Sequence, residues 1–216
     1  MSLHKGAIIG MDETNPLASL IVFQYNPETL SRSLSVASAA QGTESQSDIL
    51  RFFAPPTETI TADIEIDATD QLEQGNPLAT QLGIHPALAS LEMLLYPKAA
   101  GMIINGALLL AGLRPVIEPG APLSLFVWGI KRVLPVRISA MTITEDFFDG
   151  ELNPIRAKVH LEMRVLNYHD LGIVSLGGAL FLGHQLLKEA MATIQGVGTI
   201  AAVASGNVQL AADISL

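Results

Sequence analysis

The chain has 216 residues, of which 49% are hydrophobic and 15% are charged, and its formal net charge is -9. The length suits one domain with appendages, and the negative charge disfavours nucleic-acid binding, because phosphates require clustered Lys and Arg side chains. The densest basic pair, Lys131-Arg132, is interpreted as a solvated turn, and the lack of cysteine excludes disulfides, a thiol nucleophile and thiolate metal ligands.

The N-terminal part of the chain predicts short strands. Residues 5–11 and 18–25 have the composition of two strands separated by a turn-rich segment, and Asn26-Pro27 ends the second strand. Residues 30–36 alternate larger residues with serine, which predicts a strand with a thin apolar face.

Two further features of this part concern export and order. The first sixteen residues lack the apolar core of a secretory signal peptide, so we expect synthesis in the cytoplasm without export by the general route. Residues 38–48 are polar, small and aperiodic, which predicts a long flexible loop. We expect the loop over 38–53 to become ordered only against a neighbouring subunit or ring.

Residues 57–67 alternate strictly, with Ile64 and Ile66 on the inward parity. The outward face carries three carboxylates, those of Asp63, Glu65 and Asp67. Neighbours along this row lie about 6 to 7 Å apart. The row could be a divalent-cation site, but ligands along one straight strand diverge instead of converging on a point. A hydrated acidic face, lining a pore or meeting a basic partner, is the favoured interpretation.

The middle of the chain predicts helix. Residues 70–82 are interpreted as a linker, and His85-Pro86 then opens a helix over residues 86–95, which Tyr96-Pro97 ends. Its apolar stripe contains Leu88, Leu91, Leu94 and Leu95. His85 has no acidic or histidine partner at ligand spacing, which favours a helix-entry or surface role over that of a metal ligand or base.

Residues 102–113 are apolar almost throughout and too short to span a bilayer. They predict a helical or extended segment that packs on a neighbouring molecule. A core strand over residues 122–129, which includes Trp128, follows.

The longest period-two pattern covers two strands, residues 133–144 and 155–166. The second strand has its inward residues at odd positions, namely Ile155, Ala157, Val159, Leu161, Met163 and Val165. In the first strand, Val136 and Ile138 lie on one parity and Ile143 lies on the other, which predicts a β-bulge near Ala140. The loop over residues 145–154, with Asn153-Pro154 at its end, joins the strands as a hairpin.

Residues 167–170 end the sheet in this prediction.

 The segment over residues 171–187 is apolar, and His184 is its one ionisable side chain. A membrane helix is one interpretation, supported by glycines among large aliphatic residues. The marginal length, the internal glycines and the lack of a flanking basic cluster favour a buried helix that docks on the sheet or on another subunit.

No enzymatic motif stands out. The chain has no Gly-x-Ser-x-Gly elbow and no Gly-rich phosphate loop. His160 lies on a polar strand face, where a solvated side chain is expected. The acidic residues of the hairpin, which solvation also explains, are Glu145, Asp146, Asp149 and Glu151. A general acid and base that converge in space stay open at this point, but we expect no enzyme, no cofactor and no metal site.

Five ordered blocks carry a resemblance to a known family. They are VFQYNPETLSRSL (22–34), APPTETITADIEIDATD (54–70), GIHPALASLEMLLYP (83–97), residues 125–166, and YHDL (168–171). These blocks resemble the tube-type proteins of extracellular contractile injection systems, and among them the baseplate hub or tube-initiator adaptor group. The resemblance implies a mainly β (α+β), phage tail-tube-like fold, a β-sandwich or partial barrel with a flanking helix, assembled as a hexameric ring.

The resemblance also implies a set of core and assembly positions and no catalytic residues. These positions are Phe23, Asn26, Pro27, Ile64, Ile66, His85, Pro86, Leu91, Tyr96, Trp128, Val136, Ile138, Asn153, Pro154, Val159, Leu161 and Val165. Many members of the adaptor group carry a LysM-like module after the tube domain, whereas residues 172–216 lack its βααβ pattern. We therefore expect a tail-tube-like domain over 1–171 and an apolar helical extension over 172–216.

The expected function is structural: a ring that joins the spike to the inner tube and nucleates tube assembly. The expected partners are other copies of the chain, the spike and inner tube proteins, and baseplate wedge proteins, with no nucleic acid and no membrane contact. The protein would reside in an assembled injection particle. Alternatives are a β-barrel carrier of an apolar small molecule, recognisable by a closed apolar cavity in a stable monomer, and a hydrolase with an unrecognised site.

Overall fold

The computed structural model describes residues 5–11, 20–36, 55–115 and 122–204. The described strands are β1 (Ala7–Met11), β2 (Leu20–Val22), β3 (Leu30–Ser35), β4 (Thr57–Asp67), β5 (Leu123–Val127), β6 (Val133–Phe148) and β7 (Pro154–Val165). The helices are α1 (Thr69–Glu73), α2 (Pro77–Leu82), α3 (His85–Glu92), α4 (Ala99–Leu110), α5 (Tyr168–Leu171) and α6 (Leu176–Ala204). The predicted mainly β, α+β class is confirmed.

The strands form one antiparallel sheet in the order β2-β1-β5-β6-β7-β4-β3. The sheet curls back on itself, as a contact between Gln24, just after β2, and Asp67, at the end of β4, shows. The side-chain amide of Gln24 donates to the carbonyl of Asp67 at 2.8 Å and accepts from its N–H at 2.9 Å. Two strands that are far apart in the sheet order therefore meet, which gives a partial barrel with β3 outside the seam.

The inward faces of the strands fill the interior of this barrel. In β4, Ile60, Ala62 and Ile64 are buried, and in β7 every second residue from Ala157 to Val165 is buried, as the alternation predicted. Ile66 and Ile155 are half-buried. Leu91 of α3 packs into the same cluster with no exposed surface. Each such large aliphatic side chain contributes about 1.5–3 kcal/mol by leaving water.

The predicted β-bulge is confirmed. The pairing of β6 with β7 shifts between Ile138 and Ala140. After the shift, Ile143 lies opposite Val159, so the apolar residues of β6 return to the inward face. One extra residue changes the parity of everything beyond it, which explains the change in the sequence pattern.

The hairpin loop between β6 and β7 is shorter than predicted. Strand β6 continues to Phe148, so Glu145 and Asp146 belong to a strand instead of a loop. The Asp149 carboxylate closes the remaining turn by accepting hydrogen bonds from the backbone N–H groups of Glu151 and Asn153. The pairing of β6 with β7 extends to Phe148 opposite Pro154, and this longer ladder leaves only a tight turn.

The interpretation of residues 70–82 as a linker is wrong, because α1 and α2 occupy most of it. Gly75, with a φ of 67°, separates the two helices. The Asn76 side chain accepts a hydrogen bond from the N–H of Leu78, and Pro77 occupies the first turn of α2. These are ordinary helix-start signals, and they indicate helix more strongly than the Gly-Asn-Pro sequence indicates a break.

Other boundaries differ at their ends. Strand β2 (Leu20–Val22) ends three residues before the predicted end at 25, and its predicted start at 18 lies outside the described residues. Strand β5 covers Leu123–Val127 of the predicted 122–129. Strand β3 agrees with the prediction to within one residue, and β4 agrees at both ends. The predicted flexible loop over 38–53 lies outside the described residues.

The C-terminal part is helical, and the start of its long helix docks on the sheet as predicted, although this helix is half-buried there and longer than expected. Asn167 caps α5 by accepting from the N–H groups of His169 and Asp170. Helix α6 then continues far beyond residue 187, and among its described side chains most are half-buried or exposed. Its first turns contact β6 and α5, so only this part has a surface to be buried against. Among the helices of the described ranges, none is long and apolar enough to cross a membrane.

Candidate assembly surfaces

The outward face of β4 and β7 is a ladder of charged pairs. The antiparallel register places Asp63 opposite His160 and Asp67 opposite Arg156. The Nδ1 atom of His160 lies 2.6 Å from the Asp63 carboxylate. Arg156 pairs with Glu65 and also lies 3.7 Å from the Asp67 carboxylate. The acidic row therefore meets basic partners on β7, while Asp63 stays 74% exposed, both of which agree with the predicted hydrated acidic face.

The chemistry of this row does not favour a cation. Burial raises the pKa of Asp67, but hydrogen bonds from Thr69 and the charge of Arg156 outweigh it, so the pKa lies below its ordinary value. The Asp67 carboxylate is thus held ionised by protein donors. Within the described parts of the chain, no group of three or more His, Asp or Glu side chains could hold a metal ion.

A buried carboxylate joins the sheet to α6. Glu58 of β4 is 5% exposed and points to the inward parity. Its carboxylate accepts from Arg32 of β3 at 2.7 Å and from Lys188 of α6 at 3.3 Å. Burial raises the pKa of Glu58, but the two cations lower it more, and the net pKa is below the ordinary value. Sequence reasoning missed this residue, although its parity with Ile60 was a usable signal.

His184 lies one helical turn before Lys188 and contacts a different part of the sheet. Its ring lies near the turn between β5 and β6, since the backbone of Lys131 and the charge of Arg132 both act on its pKa. The buried Nδ1 atom has no hydrogen-bond partner. Burial, followed by the charge of Lys188, lowers the pKa of His184. Helix α6 is thus attached at both the β4 strand and the β5–β6 turn.

A long strand edge is left unpaired. Strand β5 pairs with β6 only over Val133 to Val136, whereas β7 pairs with β6 as far as Phe148. From residue 137 to residue 148, no described strand therefore pairs with the second edge of β6. Strand β3 likewise has no described partner strand on the side away from β4. Unpaired edges of this kind are templates for pairing with another chain.

Two helices expose large apolar side chains. Helix α4 has no charged residue and no buried residue, and Ile103 and Leu110 are 70% and 92% exposed. In the second half of α6, Met191, Ile194 and Val197 are exposed at a spacing of three, which places them along one side of the helix. Exposed apolar surface on this scale indicates contact with other molecules.

The positions implied by the family resemblance fall into three groups. The buried ones are Phe23, Ile64, Leu91, Val136, Ile138, Pro154, Val159, Leu161 and Val165. The half-buried ones are Pro27, Ile66, Trp128 and Asn153, and the exposed ones are Asn26, His85, Pro86 and Tyr96. The rings of Phe23 and Trp128 lie 6.5 Å apart in an aromatic cluster. Most of the set therefore builds the core, and no chemical site results from bringing it together.

A half-open cleft of about 360 Å³ lies at the seam of the barrel. Phe23, Ile66 and Ile84 form apolar parts of its lining, and Glu65 and Asp67 are polar parts of it. We call this feature the seam cleft. It lies between the ends of β2 and β4 and the helices α2 and α3, whereas side chains fill the barrel interior. This does not match the closed apolar cavity expected of a small-molecule carrier.

Comparisons with solved structures find chains that are similar to this one, and two of them are from gene transfer agent particles. One is a chain of the virion of a native gene transfer agent particle, with a TM-score of 0.30 and 10% sequence identity, over 74% of this chain and 90% of that chain. The other is from the tail of an empty gene transfer agent particle with C6 symmetry, with a TM-score of 0.31 and the same identity and coverage. No protein-family model matches the chain, and no curated protein matches it.

Proposed function

We propose that the chain is a structural component of a phage tail-like contractile injection particle. It forms a ring of the inner tube or baseplate hub, joins the spike to the tube and nucleates tube assembly. The observation that carries the proposal is the edge of β6 over residues 137–148, with which no strand of the described residues pairs. A long free edge is completed by another strand or protected from one, and a closed ring of identical copies completes every such edge at once.

The edge of β3 is the partner that the next copy offers to β6. Among the described strands, β3 pairs only with β4, and Leu34 of β3 is 57% exposed. Pairing β6 of one copy with β3 of the next uses two different surfaces, so it repeats around a ring instead of stopping at a dimer. Six copies are expected from the family resemblance.

The charged face of β4 and β7 suits the lumen of such a ring. The side chains of Asp63 and His160 are 74% and 51% exposed, and Lys158 is exposed beside them. A water-filled channel keeps these groups hydrated, whereas a protein interface would have to desolvate them. The opposite face of the same strands is the apolar core.

The exposed apolar helices supply the remaining contacts. Helix α4 and the second half of α6 bury their apolar residues against neighbouring copies, the spike, the inner tube or wedge proteins. In this proposal residues 1–171 form the tube domain, and the extension over 172–216 takes the place of the LysM-like module. The protein then resides in the assembled particle.

Two proline variants at consecutive positions test the edge. In a strand, the N–H groups of Thr144 and Glu145 point to opposite sides, so one faces β7 and the other faces the free edge. Proline at the edge-facing position should leave the melting temperature of the monomer nearly unchanged and abolish assembly in light scattering. Proline at the other position should destabilise the monomer. Assembly that tolerates the edge-facing proline would contradict the proposed pairing.

A further inference from the structure

The free edge of β6 has a different chemistry on each of its two faces. The pairing with β7 places Met141 and Ile143 opposite buried residues of that strand, so both lie on the inward face. Glu145 follows at the same parity and is exposed. The inward face of this edge therefore presents two apolar side chains and then a carboxylate. Its outward face presents Thr142, Thr144 and Asp146.

The free edge of β3 has the complementary set. The pairing with β4 places Arg32 and Leu34 opposite buried residues of that strand, so both lie on the inward face. Val36, directly after β3, has the same parity, and Leu34 and Val36 are 57% and 58% exposed. The inward face of this edge therefore presents a cation and then two apolar side chains. Its outward face presents Ser31, Ser33 and Ser35.

A ring brings these two edges together as antiparallel strands. Strand β3 is antiparallel to β4, β4 to β7, and β7 to β6, so β3 and β6 of one copy run in opposite directions. Rotation about the ring axis keeps these directions, and β3 of one copy therefore meets β6 of the next as an antiparallel partner. Close and wide pairs alternate across the three ladders, so Arg32 and Glu145 both point their backbone groups into their own sheet or both toward the free edge. Residues that match in face thus also match in backbone hydrogen bonding.

We infer that the two edges pair in one register, in which opposite charges and apolar side chains of neighbouring copies face each other. The directly opposite pairs are Arg32 with Glu145, Leu34 with Ile143 and Val36 with Met141. The inference rests on the proposed ring and names the register of its contact. A shift by one residue would turn the apolar side chains to the outward face. A shift by two would place Glu145 opposite Leu30 or Leu34, which leaves the carboxylate without a charged partner. On the outward face the inferred register matches hydroxyl with hydroxyl, in the pairs Ser33 with Thr144 and Ser35 with Thr142.

Arg32 is able to bind both carboxylates. Its Nε–H donates to Glu58 of its own copy at 2.7 Å, and a guanidinium offers five N–H donors. The Arg32 side chain is 29% exposed, so part of it is accessible to a neighbouring copy. Glu145 of that copy then joins the junction of β3, β4 and α6 that Glu58 forms with Lys188. The charged cluster that links the sheet to α6 within one copy thereby also contacts the next.

A disulfide scan tests the register, because the chain has no cysteine of its own. Ser33→Cys is combined in turn with three substitutions along β6, namely Thr142→Cys, Thr144→Cys and Asp146→Cys. Each protein is oxidised in a mixture with the spike and inner tube proteins. Non-reducing electrophoresis should show at least about tenfold more covalent oligomer for Thr144→Cys than for the other two, since directly opposite Cβ atoms are about 5 Å apart and diagonal ones about 7–8 Å. Leu34→Cys with Ile143→Cys is a second pair in the same register, and one of the two pairs must be of the closer, non-hydrogen-bonded type.

A charge reversal tests the ion pair. Glu145→Lys places a second cation opposite Arg32 and should weaken association about tenfold in a light-scattering concentration series of the same mixture. The melting temperature of the monomer should stay unchanged, because Glu145 is exposed. The control Glu151→Lys makes the same change of net charge at an exposed position of the hairpin turn and should associate like the wild type.

The outcomes separate the register from the ring. Strongest cross-linking with Thr142→Cys or Asp146→Cys, or wild-type association by Glu145→Lys, would overturn the inferred register and leave the ring. Cross-linking of Ser33→Cys alone would show β3 paired with β3 of a second copy, which also overturns it. Assembled rings that form no cross-link in any pair would overturn the inference alone. A wild-type chain that stays monomeric even with the spike and tube proteins would overturn the proposed function as well.

Discussion

Replacement of the buried carboxylate by an amide, Glu58→Gln, should loosen the junction of β3, β4 and α6. The side chain keeps its shape, but two charge-assisted hydrogen bonds become neutral ones. The partners, Arg32 and Lys188, have side chains that are 29% and 32% exposed, so water partly replaces what they lose. At about 1 kcal/mol for each weakened bond, reduced for this exposure, the expected loss is about 1–2 kcal/mol.

The pH dependence gives the sharper part of this prediction. The folded-state pKa of Glu58 lies below its ordinary value of 4.5. Ionised Glu58 therefore adds stability that is fully present above pH 4.5 and is lost as the pH falls through the lower, folded-state pKa. The stability curves of the wild type and Glu58→Gln should be separated at neutral pH and should converge in acid.

Urea unfolding followed by circular dichroism, between pH 7 and pH 3, measures both effects. Lys188→Met should cost less than Glu58→Gln, because Arg32 still pairs with the carboxylate. The double variant should cost less than the sum, since the two residues share one interaction. A Glu58→Gln variant as stable as the wild type at every pH would refute the assignment of Glu58 as the charged link between the sheet and α6.

Three further changes test the core and α6. Val159→Asp, at a position 1% exposed, should lower the free energy of unfolding by more than about 3 kcal/mol and yield insoluble protein. The control Lys158→Asp, at the next residue, should stay soluble. A soluble, assembled Val159→Asp variant would disprove the burial. Gly6→Ala would place a Cβ 2.7 Å from the ring of Phe23 and should lower stability by about 1–3 kcal/mol in urea unfolding, so an unchanged midpoint contradicts the packing. The lowered pKa of His184 means that stability is lost as the pH falls below 6.5, and His184→Leu should flatten that slope; an unchanged slope contradicts the burial of the ring.

The strands were predictable where the pattern is local. Strand β4 has the predicted bounds, and the parity change near Ala140 indicated the bulge, because alternation along one strand reports directly which face is buried. The helix that starts at Pro77 could also have been predicted, because Asn76 is a favourable helix-capping residue. It was missed because the Gly-Asn-Pro sequence also fits a turn.

The interactions that link distant segments were not predictable. Glu58 is buried because Lys188, 130 residues away, supplies a charge, and no pattern near Glu58 predicts that partner. The charged pairs of β4 with β7 depend on the register between strands about 90 positions apart, as in the 91-residue separation of Glu65 and Arg156. The seam depends on the curvature of the whole sheet. These features arise from tertiary packing, which a single sequence does not show.

Electron microscopy of the chain mixed with the spike and inner tube proteins of its particle tests the central claim most directly. The account predicts closed rings of identical subunits at the junction between spike and tube, with the charged face of β4 and β7 toward the lumen. A chain that remains monomeric in this mixture, at concentrations where the other components assemble, would contradict it.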